Sequence, residues 1–80
     1  MTKKTRSLSI IVDNEPGVLA RVVGMFSAQG YNIDSLHVEP SNKDKTESEI
    51  LLTTTVEDAV CETIIKKLEK IVPVHKVREK

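Results

Sequence analysis

The chain has 80 residues, 8.9 kDa, with 12 basic and 12 acidic residues balancing to zero net charge. That length holds one domain, which hides only about 60% of the surface its unfolded form exposes; with one cysteine, Cys61, neither an internal disulfide nor a multi-cysteine metal cluster can support it, which leaves association with another chain. No apolar run approaches the ~18 residues of a membrane span, and Met1 to Arg6 leads into an alternating segment unlike a secretion signal, so a cytoplasmic protein without membrane contact is the expectation.

Leu8, Ile10 and Val12 alternate with Ser7, Ser9 and Asp13, which predicts a strand over about 6–13. Ile11 makes its end apolar on both faces, as suits a central strand or a dimer contact. Asn14-Glu15-Pro16-Gly17 stops the strand. Val18, Leu19, Val22, Val23, Met25 and Phe26 then recur at helical spacing and predict a helix over about 17–29. Asn14 is its expected cap, Pro16 sits where a first-turn proline is tolerated, and Gly30 is the left-handed residue past its end.

Tyr31, Ile33, Leu36 and Val38 predict a second strand over about 31–39. Its phase slips between Ile33 and Leu36, which implies a bulge near Asp34-Ser35. Pro40 to Lys45 is turn chemistry. Ile50, Leu52, Thr54 and Val56 predict a third strand over about 47–56, forming a hairpin with the second. A second helix follows over about 57–70, from Val60, Ile64, Leu68 and Ile71, with Glu57-Asp58 at its start and Lys66, Lys67 and Lys70 at its end. Pro73 opens a short edge strand with Val74 and Val77.

Strand-helix-strand-strand-helix-strand is the α+β, ferredoxin-like βαββαβ order: a four-stranded antiparallel sheet with both helices on one face. The other face is expected to pack on a second copy. Charge is unevenly spread, at +3 over residues 1–12, −7 over 13–62 and +4 over 63–80. Antiparallel pairing of the first and fourth strands gathers both basic segments at one end of the sheet. That is either an ordinary solvated surface or a basic pole that docks a partner.

Catalytic chemistry is sparse. There is no phosphate-binding glycine fingerprint and no His/Glu pair at metal-ligand spacing. His37 and His75 fall on strand surfaces, and Cys61 reads as a small core residue. With Phe26 and Tyr31 as the only aromatics, a base-stacking platform is absent and no nucleic-acid partner is expected. An acyl-phosphate hydrolase on this topology would want an arginine cradle in the first loop, which here is acidic. The informative feature is the turn into the first helix, where Gly17 sits among backbone N–H groups without intrahelical partners. Those groups suit an anion, and a residue without Cβ lets it approach closely. A steric need of the turn itself explains Gly17 equally well. Asn14 and Asn32 could hold a ligand's polar groups, so a zwitterionic amino acid fits in kind. Gly24, mid-helix, costs about 1 kcal/mol relative to alanine, and close packing on the sheet is the expected compensation.

The run from Asn14 through Gly30-Tyr31-Asn32-Ile33-Asp34-Ser35-Leu36 is far more specific than these generic patterns. It resembles the ACT domain of the small, regulatory subunit of acetolactate synthase (acetohydroxyacid synthase), over about residues 6–78. The resemblance implies a non-catalytic chain without cofactor or metal, working as a homodimer. It implies binding to a large catalytic subunit that carries thiamine diphosphate, magnesium and FAD, activation of that subunit, and feedback by valine or another branched-chain amino acid held between two ACT domains. The matching effector positions are Asn14, Gly17, Val18 and Leu19, with Asn32 and Ile33 from the partner copy. Ser35, Leu36 and Val38 match the contact between copies. Family members usually carry a C-terminal domain that this sequence does not reach, so a single ACT domain over residues 1–80, as a short form or a truncation, is the expectation. Glu47-Ser48-Glu49-Ile50 stands where the family often has Leu-Ser-Arg, and Glu39 replaces a commonly small residue. The alternative is a stand-alone ACT-type sensor of a different enzyme.

Overall fold

The computed structural model describes residues 2–41 and 44–80. Strand β1 (Lys4–Asp13), helix α1 (Val18–Ala28), strands β2 (Ser35–Pro40) and β3 (Glu47–Val56), helix α2 (Asp58–Glu69) and strand β4 (Val74–Glu79) follow one another in the βαββαβ order. The strands form one antiparallel sheet in the order β2-β3-β1-β4. Proline ahead of β4 leaves that strand at an edge, and β2 forms the other. The turn at 40–45 includes Asn42 and Lys43, which lie outside the described residues.

The period-two pattern explains which side of the sheet is covered. Leu8, Ile10 and Val12 of β1 lie beside Leu52, Ile50 and Ser48 of β3, so the even positions of both strands share one face. That face meets Val18, Val22 and Phe26 of α1 and Cys61, Ile64 and Leu68 of α2, all buried in one cluster. Cys61 is thus a core residue, as its pattern indicated. The odd positions carry Ser7, Ser9, Glu49, Thr53 and Thr55, with Ile11 and Leu51 as the central apolar residues. The uncovered face is therefore largely polar.

Three expectations need correction. β2 begins at Ser35, and no bulge occurs at Asp34-Ser35. Residues 31–33 are a loop that follows the left-handed Gly30 (φ 76°), and half-buried Tyr31 and Ile33 pack on the core from it. The irregularity in the sheet lies instead between Ile11 and Val12, opposite β4. Asn14 does not cap α1: Gly17, at φ 86°, occupies the cap position, and no side chain caps the helix. Gly24 is exposed, and a Cβ built on it would meet nothing within 4 Å, so close packing does not offset its cost.

The basic chain ends do meet, since Leu8 pairs with Glu79 and the Lys80 N–H donates to the Ser7 carbonyl at 2.7 Å. Two of these basic residues, Arg6 and Lys80, have acidic partners there. Buried Arg6 reaches Asp58, Glu79 (3.4 Å) and the Val56 carbonyl (3.3 Å), while Lys80 lies 3.7 Å from Glu49. Asp58 hydrogen-bonds Arg6 and is held below the usual carboxylate range by that bond.

Candidate effector site

The turn Asp13–Gly17 joins β1 to α1 and is fixed by backbone bonds. The Asp13 N–H donates to the Pro73 carbonyl (3.0 Å), the Asn14 N–H to Thr46 (2.8 Å) and the Glu15 N–H back to Asp13 (3.0 Å). Asn14 Nδ2 donates to the Lys45 carbonyl at 2.7 Å, which ties the turn to the start of β3 and leaves Oδ1 as an acceptor. Gly17 needs its glycine because a left-handed φ strains any residue with a Cβ.

The two helix starts differ. α2 has Asp58 in its first turn and Lys66 and Lys67 in its last, matching the dipole at both ends. Neither helix has a side-chain cap, but α1 also has no acid in its first turn, so only the preceding Asp13 and Glu15 lie near its positive end. Beside it lies a groove of about 190 Å³. Val18, Leu19, Val38 and Ile50 wall it, and Asn14, Asp13, Glu15 and Ser48 rim it. Such a groove offers N–H donors and a positive field at one end, amide and carboxylate acceptors beside them, and a small apolar trough. That set can recognise the carboxylate, ammonium and aliphatic side chain of a small amino acid.

Of the six effector positions read from the sequence, Asn14, Val18 and Leu19 line this groove, and Gly17 forms the turn above it. Asn32 and Ile33 do not reach it. They precede the far end of β2, where Ser35 pairs with Thr53, whereas the groove lies near the end where Pro40 pairs with Ser48. At the rise of an extended strand those ends are roughly 17–20 Å apart. Asn32 is engaged locally, donating to Asp34 Oδ1 (3.0 Å) while its carbonyl accepts from Thr54 Oγ1 (2.6 Å).

The proposed contact residues divide between two faces. All six residues of β2 are exposed. Leu36 and Val38 pair with Leu52 and Ile50, so they share the helix-bearing face but lie beyond its cover, at 42% and 40% exposure. Leu19 on α1 is 39% exposed. Ser35 points to the opposite face, where its hydroxyl lies 2.6 Å from Thr53 Oγ1. Sequence reading missed Val12, Asp13, Glu15, Ser48 and Ile50 as groove residues and placed Val38 only at the contact between copies; Val12 and Ile50 were visible only as strand positions, and Ser48 reaches the groove only through the strand register.

The other reactive side chains do not line the groove. His37 on β2 lies 3.2 Å from Glu39, and His75 on β4 lies 2.5 Å from Asp13. Burial raises the Cys61 thiol, and neighbouring Glu79 adds to this. Glu49 accepts from Ser9 Oγ at 2.5 Å, the main reason its carboxyl is lowered. Among the described residues no group of His, Cys, Asp and Glu could hold a metal ion, and no helix is long and apolar enough to cross a membrane.

Known proteins resemble this chain in sequence and fold. The chain is 46% identical over 74 residues to the acetolactate synthase isozyme 3 small subunit of Escherichia coli strain K12, covering 92% of this chain and 45% of that one. It is 42% identical over 79 residues to the acetolactate synthase small subunit of Mycobacterium bovis, covering 99% and 46%. The crystal structure of the acetolactate synthase small subunit from Thermotoga maritima superposes with a TM-score of 0.87 at 32% identity, over 95% of this chain and 47% of that one. The ACT domain of the Chlorobium tepidum GTP pyrophosphokinase shares the fold, with a TM-score of 0.81 at 21% identity. The chain thus spans about half the length of the curated relatives it matches. A family model described as the AHAS small subunit-like ACT domain matches residues 8–76, and the chain belongs to that family.

Proposed function

We propose that this chain is the ACT portion of a regulatory subunit of acetolactate synthase. It does no chemistry itself. It associates with and activates a large catalytic subunit, which carries the thiamine diphosphate, magnesium and FAD, and it binds valine or a related branched-chain amino acid as feedback effector. The observation that carries the reading is the groove at the uncapped start of α1, open beside the exposed edge of β2.

Two copies joined antiparallel through β2 complete the site. A two-fold axis near the middle of β2 sets the Pro40 end of one strand beside the Ser35 end of the other. Asn32 and Ile33 of the second copy then approach the groove that their own chain cannot reach. The effector carboxylate takes the N–H groups at the start of α1. Its ammonium takes Asn14 Oδ1 and oxygens from the second copy. Its side chain enters the trough of Val18, Leu19 and Val38. A ligand held by both copies binds the dimer better than the monomer, so it tightens the dimer by mass action. Any change it makes in affinity for the large subunit is reciprocal.

The test is titration calorimetry of valine with light scattering on the same sample, using Gly17→Asp and Gly17→Asn. Both side chains tolerate the left-handed conformation better than others, so the pair differs in charge alone. Saturable binding at one or two sites per dimer is expected for the native chain and Gly17→Asn, and loss for Gly17→Asp. Equal valine affinity in the two variants overturns the site. Failure of the native dimer to bind, alone and with the large subunit, overturns the effector role.

A further inference from the structure

We propose that His75 is a positioning residue for the Asp13–Gly17 turn: its imidazolium holds Asp13 against β4, so effector affinity falls as His75 loses its proton. The affinity half of this inference rests on the effector reading above, whereas the coupling of His75 to the turn does not.

The geometry begins with register. Ile11 pairs with Lys76 and Val12 with Val74, so His75 is the extra residue of the β1–β4 ladder. A bulge of this kind turns the extra side chain out of the regular alternation. Here it brings His75 Nε2 to 2.5 Å from Asp13 Oδ1 and 3.7 Å from Glu47 Oε2. Just upstream, the Pro73 carbonyl accepts the Asp13 N–H. Asp13 is therefore gripped by β4 through backbone and side chain, and its own carbonyl accepts the Glu15 N–H inside the turn. A shift of Asp13 must pass to Asn14 and Gly17.

Charge acts in the same direction. The charged groups facing the imidazole among the described residues are Asp13 from β1 and Glu47 from β3, both acidic. The hydrogen bond to Asp13 is the largest cause that raises the His75 pKa above its ordinary value, with both carboxylates adding to it. Asp13 also rims the groove. With His75 protonated, the negative charge of Asp13 is balanced; with His75 neutral, that charge stands at the groove rim without its cation and repels an incoming carboxylate. Since the folded pKa is raised, the charged clamp is fully present below the ordinary histidine value while Asp13 is ionised, and it weakens to a neutral hydrogen bond as pH rises through the raised value. His75 and Asp13 are 47% and 37% exposed, so the pair has the size of a surface ion pair, a two- to five-fold effect on affinity at most and smaller in high salt.

The experiment follows the unliganded chain by nuclear magnetic resonance from pH 5.5 to 8.5, native and His75→Gln, and then measures valine affinity at pH 6 and 8.5 on both. The amides of Asn14, Glu15 and Gly17 are expected to move along the titration curve of the His75 ring and to stay still in His75→Gln. Native affinity is expected to fall two- to five-fold at the higher pH, and that of His75→Gln to stay constant. Silent turn amides during the His75 titration overturn the proposal, and so does an unchanged pH profile in His75→Gln. Turn amides that follow His75 in a chain that binds no valine uphold the positioning and refute the effector reading alone.

Discussion

Leu36→Asp tests the association of two copies through β2 most directly. Leu36 is 42% exposed, Val38 40% and Leu19 39%, on one side of the molecule. Full burial of such a side chain is worth about 1.5–3 kcal/mol, so hiding the remaining two-fifths of each contributes about 1 kcal/mol. A two-fold axis counts each residue twice, and the three together give roughly 5–6 kcal/mol toward association. Leu36→Asp deletes about 2 kcal/mol of this and sets two like charges near the axis. By the tenfold-per-1.4-kcal/mol rule, the dimer dissociation constant rises at least ~30-fold. Sedimentation velocity over a dilution series measures it. Val72→Asp is the control: Val72 is 87% exposed, outside both helices and strands. The folded monomer is expected to survive both changes, because Leu36 lies outside the buried core. Equal dissociation constants for the two variants refute the β2-mediated dimer.

Other consequences can be checked on the same chain. Gly24→Ala is expected to raise the melting temperature by about 4–8 °C, from up to about 1 kcal/mol of helix propensity, since the added Cβ meets nothing. Gly30→Ala is expected to lower it by a similar amount or more, because φ 76° costs a residue with a Cβ about 1–2 kcal/mol; calorimetry on both variants reads the opposite signs. Leu68→Ala empties a fully buried site between α2 and the sheet and is expected to cost about 2–5 kcal/mol in urea unfolding, a large part of what an 80-residue domain has. Asp58 has a lowered carboxyl pKa, so its stabilising contribution is present above the ordinary aspartate value and lost as pH falls below about 4. Asp58→Asn should therefore be less stable than the native chain at pH 7 and lose less on acidification, as followed by circular dichroism. Cys61 should resist a thiol reagent at pH 8 until the chain unfolds, being buried with a raised pKa.

The elements legible in the sequence are those whose pattern serves the chain's own core. β3 is the clearest, since alternation from Ile50 to Val56 coincides with burial at every even position. β2 is less legible at its start for a related reason: Ile33 and Tyr31 pack on the core from a loop, and their apolar pattern runs on into Leu36 and Val38, which stay about two-fifths exposed in this chain. The turn at Asn14–Leu19 was legible because its groups are neighbours in sequence. Asp13 and Ser48 join it only through the β-ladders, and the bulge that aims His75 is a property of the β1–β4 register with no mark in the residues themselves. The departures from local rules are the stronger guide to function. α2 has matched charges at both ends and an apolar stripe that is buried. α1 starts on a left-handed glycine, without a side-chain cap or an acid in its first turn, and the strand beside it displays two aliphatic side chains to solvent. A helix that only had to fold would be stabilised by an acid in its first turn, as α2 is by Asp58, and an edge strand that only had to stay unpaired would carry charge in place of leucine and valine. Both departures border one groove, and a ligand anion together with a second copy would satisfy both.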